Sequence, residues 1–64
     1  MQNRVVMAFR KRLIKRGYTH VSILREKIDG VFTGYYVVNA VEPLGGSAVS
    51  VVYSVARMQW DFRF

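Results

Sequence analysis

The sequence predicts a small α+β domain: a single N-terminal helix packed on a three-stranded antiparallel sheet, in the order α-β-β-β. Three observations predict it. Apolar residues recur at helical spacing over residues 4–17. Asp29-Gly30 stands between two strand-like runs, a strong signal for a two-residue hairpin turn. Glu42-Pro43-Leu44-Gly45-Gly46-Ser47 is loop composition and separates the second run from a third. With 64 residues the chain is read as one domain, 1–64.

The helix is amphipathic in two senses. On a helical wheel Val5, Val6, Phe9 and Leu13 share a sector of about 100°, with Ile14 outside it. Arg4, Lys11 and Lys15 lie on the opposite side, and Arg12 falls between the two sectors. Asn3 suits the N-cap, Lys15 and Arg16 suit the negative end of the helix dipole, and Gly17 suits the left-handed C′ position.

Residues 19–28 read as the first strand, with Val21 and Ile23 alternating, and residues 31–41 as the second. Gly34 in mid-strand marks a bulge or a close approach to Phe9 or Leu13. Residues 48–64 have strand composition throughout and read as one long third strand. Its alternation changes phase: Val49, Val51, Tyr53 and Val55 are odd, whereas Met58, Trp60, Phe62 and Phe64 are even. A bulge near Ser54–Arg57 accounts for the shift. A sharp bend into two strands is the alternative, but no Gly or Pro marks one. This order resembles, at the level of topology, double-stranded-RNA-binding-like folds and the small toxin ribonucleases built on them. Those folds end in a helix, where this chain has Trp60-Asp61-Phe62-Arg63-Phe64.

Both alternating sets of the second strand are largely apolar, yet one helix covers only one sheet face. A covered second face is expected, with a symmetric homodimer the commonest cover; the competing explanation is that the valines reflect β-propensity on a modestly exposed sheet. Tyr35, Val37, Tyr53 and Trp60 are the expected interface residues. Size points the same way. Burial of ~6,500 Å², ~60% of it apolar, contributes ~98 kcal/mol against ~96 kcal/mol of ordering entropy, so a partner helps.

The net charge is +6, with 10 Lys and Arg against 4 Asp and Glu. Residues 1–27 hold eight cations against Glu26, a net of +7, and residues 28–64 hold two against three acids, a net of −1. Clustered cations attract polyanions. The competing explanation is a solvated face that keeps a small protein soluble.

Several chemistries are excluded or disfavoured. The chain has no Cys, which removes disulfides, Cys-based zinc modules and thiol catalysis and fits a reducing cytosol. One His and four scattered acids make no metal site. Gly45-Gly46-Ser47 lacks the Lys of a phosphate-binding loop. No apolar run approaches the ~18 residues of a membrane span. The N-terminal apolar run is shorter than the ~7–15 residues of a secretory signal. Removing the acid-free first 25 residues as a transit peptide leaves too little chain to fold unassisted. Sheet aromatics stack on unpaired bases in some proteins, but core or dimer packing is the simpler use for them here.

The expectation is a non-enzymatic, cytosolic nucleic-acid-binding or regulatory protein, with no cofactor, small-molecule substrate or membrane partner. Arg4, Lys11, Arg12, Lys15 and Arg16 contact phosphates, with Arg10 at the edge of the surface. The alternative is a protein-interaction module, an inhibitor or assembly subunit, whose apolar sheet face or C-terminal strand docks on a partner, or whose basic helix meets an acidic one. A ribonuclease using His20 is the remote third reading; a surface His at a strand start is the simpler one.

Overall fold

The structure, a computed structural model, describes residues 3–63, the last two by their backbone alone. One helix, α1 (Arg4–Lys15), is followed by β1 (Thr19–Ile28), β2 (Val31–Val41), β3 (Ala48–Ser54) and β4 (Gln59–Arg63). The strands form one antiparallel sheet in chain order, β1-β2-β3-β4. The α+β class is as expected, but the sheet has four strands, not three. A fourth strand also stands where the double-stranded-RNA-binding-like folds carry their closing helix.

The extra strand explains the change of phase. Residues 48–64 do not run straight through a bulge. Ser54 pairs with Gln59 and Tyr53 with Trp60 across a four-residue turn, Val55-Ala56-Arg57-Met58. In this register an odd residue of β3 faces an even residue of β4, so Tyr53 and Trp60 lie on one side of the sheet; Phe64, the last of the even set, lies outside the described residues. The turn needs neither Gly nor Pro. Met58 takes φ +53°, and the Arg57 N–H donates to Ser54 Oγ at 3.3 Å. The Val55 N–H ties the turn back to β2 by donating to the Gly34 carbonyl at 3.0 Å.

The helix ends are closed as their residues dictate. Asn3 Oδ1 accepts from the N–H groups of Val5 at 2.9 Å and Val6 at 3.3 Å. Gly17, at φ +92°, donates to Ile14, and Tyr18 donates to Leu13, both at 3.0 Å, forming a Schellman closure. The helix buries a narrower stripe than the wheel implied. Val6 and Leu13 are buried and Phe9 packs beside them, whereas Val5 is 41% and Ile14 46% exposed. One helix lying on a sheet touches it along a single line, which runs through Val6, Phe9 and Leu13.

Beneath that line lie Tyr36, Val38, Ala40, Val51 and Tyr53. The Trp60 ring closes the core, with its centroid 4.4 Å from Phe9 and 4.8 Å from Tyr53. Tyr53 and Trp60 are therefore helix-side core residues, which corrects their expected place on the opposite face. Of the four interface residues, Tyr35 and Val37 remain there, both half-buried. That far face is also less apolar than expected. Leu24, Val37 and Val52 line up across β1, β2 and β3, but Ser22, Asn39 and Ser50 form the adjacent row. Ser50 Oγ donates to Asn39 Oδ1 at 2.7 Å.

Gly34 is a bulge residue rather than a point of close approach. It adopts φ +87°, and a Cβ built there meets nothing within 4 Å. Around it Thr33, Gly34 and Tyr35 together oppose only Glu26 of β1. Thr33 Oγ1 donates to Glu26 Oε1 at 2.8 Å across this irregularity. At the hairpin tip Asp29 and Gly30 take φ +51° and +80°, the left-handed pair of a type I′ turn. The chain exposes 5000 Å² of surface, about 800 Å² more than the ~4,200 Å² of a compact protein of this mass.

Candidate nucleic-acid interface

The helix carries its cations away from the core. Arg4, Lys11, Arg12, Lys15 and Arg16 are exposed, and Arg10 is half-buried. None of the six pairs with a described acid; the ion pair seen among the described residues joins Arg57 and Asp61 at 3.8 Å, far along the chain. From Arg4 to Lys15 the helix rises about 16 Å, close to five phosphate steps of ~3.4 Å on one strand of a duplex. A rigid helix held by Val6, Phe9 and Leu13 thus presents an uncompensated row of charge to solvent.

The structure adds two cations that sequence reasoning counted but did not assign. In the β1–β2 hairpin the Arg25 guanidinium carbon lies 3.7 Å from the Phe32 ring centroid, and Lys27 Nζ lies 4.5 Å from it. The signal was present in the sequence. A tight Asp29-Gly30 turn places Lys27 opposite Phe32, and side-chain alternation puts Arg25 on the same face.

The remaining candidates do not assemble into a chemical site. His20 is exposed at φ +52°, with Nδ1 3.2 Å from Thr19 Oγ1, and no described carboxylate lies within ion-pair reach of it. Among the described residues no three His, Cys, Asp or Glu come together as metal ligands. An apolar cleft of about 250 Å³ between the helix and β2–β3 is lined by Phe9, Leu13, Val38 and Val51, with Glu42 the one carboxylate and Tyr18 the one phenol in its wall. No described helix is long and apolar enough to cross a membrane. No family model, curated protein or solved structure matches the chain.

Proposed function

We propose that the protein is a non-enzymatic nucleic-acid-binding protein that engages phosphates through the exposed cations of α1. The observation that carries the proposal is the row Arg4, Lys11, Arg12, Lys15 and Arg16. These residues are exposed together on α1 and its C-cap, and none of them pairs with an acid among the described residues. A solubilising face is ordinarily laced with both signs; here the acids lie elsewhere in the chain. The test is fluorescence anisotropy with labelled single-stranded DNA, duplex DNA and RNA at physiological salt. Binding in the micromolar range or tighter is expected for at least one form. No binding to any of them removes the proposal and leaves the helix a solubility feature.

Self-association is a second reading, favoured by Leu24, which is 61% exposed on the far face beside the half-buried Val37 and Tyr35. The surface in excess of a compact monomer supports it. Sedimentation equilibrium should give twice the chain mass of 7.4 kDa, reverting to the monomer in Val37→Lys. A monomer at all concentrations up to about 1 mM, an affinity scale of only ~4 kcal/mol, excludes it.

A further inference from the structure

We propose that Arg25 and Lys27, stacked on Phe32, are a second phosphate contact, carried by the β1–β2 hairpin on the same side of the sheet as α1. The proposal rests on the reading of α1 as a phosphate-binding helix and extends its binding surface onto the sheet. Register sets the side. Arg25 pairs with Tyr36, Tyr36 with Tyr53 and Tyr53 with Trp60. Residues opposite one another in a sheet share a face. Tyr36, Tyr53 and Trp60 pack under the helix, so Arg25 leaves the sheet on the helix side. Lys27 pairs with Phe32, and the Phe32 ring meets Arg25, so all three share that side.

The helix leaves this cluster open. Arg25 and Lys27 are exposed, and Phe32 is 44% exposed. Neither cation pairs with an acid among the described residues. Glu26, between them in the chain, is half-buried and accepts from Thr33 Oγ1. The Arg25 guanidinium carbon and Lys27 Nζ lie 3.7 and 4.5 Å from one ring centroid. Like charges so placed stand within about one Debye length, ~8 Å at physiological salt, so their fields add. An anion bound beside them relieves their repulsion. The ring attracts both cations and limits their rotamers, which lowers the side-chain entropy lost on binding.

The chemistry of the pair suits a phosphate. A guanidinium forks onto two phosphate oxygens, and an ammonium adds a point charge. Helix and hairpin present their cations on one side of the sheet, so one polyanion can meet both. Edge protection is the competing role: β1 is an edge strand, and cations on an edge hinder its pairing with another strand. That role uses the charge alone and needs no ligand. It therefore predicts no change at Lys27 when nucleic acid binds.

Lysine acetylation read by mass spectrometry separates the two roles. The chain has three lysines, Lys11 and Lys15 on the helix and Lys27 on the hairpin. With an excess of a DNA duplex, Lys27 should react at least about threefold more slowly than in the free protein, as should both helix lysines. The variant Arg25→Gln/Lys27→Gln, verified as folded by circular dichroism, should bind the duplex roughly 30-fold more weakly at physiological salt. It should also flatten the slope of log K against log salt by about 1.8, the share of two phosphates. Lys27 reacting at its free rate while Lys11 and Lys15 are protected overturns the proposal and leaves the helix reading intact. So does a folded double variant with unchanged affinity and slope. Free rates at all three lysines overturn the helix reading and this one together.

Discussion

Reversing two charges on the helix, Lys11→Glu with Lys15→Glu, is expected to weaken nucleic-acid binding about 30-fold at physiological salt. The magnitude follows from counterion release. Each phosphate contact on duplex DNA contributes about −0.9 to the slope of log K against log salt, or roughly fivefold in affinity between ~1 M and ~0.15 M salt. Losing two contacts multiplies those factors. Both lysines are exposed and outside the core, so the fold should survive, with stability changed by no more than about 1 kcal/mol through the helix dipole. Anisotropy measures the binding and a urea titration the stability. Unchanged affinity in a folded variant would remove the helix from the mechanism.

The largest effect on stability is expected from Trp60→Ala. The indole joins Phe9 of the helix to Tyr53 of β3, so it fastens the last strand to the first element. Truncating a core Trp costs about 3–5 kcal/mol, and a partly buried ring belongs at the lower end. A domain of this length has only about 3–10 kcal/mol to lose. With an m-value near 1 kcal/mol/M for a small protein, the urea midpoint should fall by about 3 M, leaving much of the population unfolded in water. A midpoint within about 0.5 M of the wild type, equivalent to ~0.5 kcal/mol, would contradict the account of Trp60 as the residue closing the core.

The helix and the first two strands were legible because each is bounded by a residue with one job. Asn3 caps, Gly17 closes, and Asp29-Gly30 turns, and all three do so here. The last turn was hidden for a physical reason. It reverses the chain with Met58 in a left-handed conformation and Ser54 Oγ bonding the Arg57 N–H, a device without a compositional signature. Its only trace was the parity shift, which a bulge explains equally well. The faces of Tyr53 and Trp60 have a separate cause: Tyr53 pairs with Tyr36 of β2 and Trp60 with Tyr53, and which face a strand residue occupies is settled by register rather than by composition. The helix cations were legible from the wheel. The stacked pair on Phe32 was not, because it depends on two strands being paired in one register.

The hairpin and the helix also differ in what they offer a ligand. The helix presents charge along a line, which suits a phosphate backbone of any sequence. The β1–β2 hairpin presents Arg25 and Lys27 stacked on Phe32, on the same side of the sheet. Together they give one side of this small sheet its entire excess of positive charge, and the far side the exposed apolar residues Leu24, Ile28 and Val31.

The salt dependence of binding to a labelled DNA duplex tests whether the cations of α1 engage phosphate. For about four phosphates engaged by α1, log K should fall against log salt with a slope near −3.6, and binding should persist at physiological salt. A slope near zero, or binding that vanishes by ~0.15 M, would contradict the assignment of the helix cations to phosphate contacts.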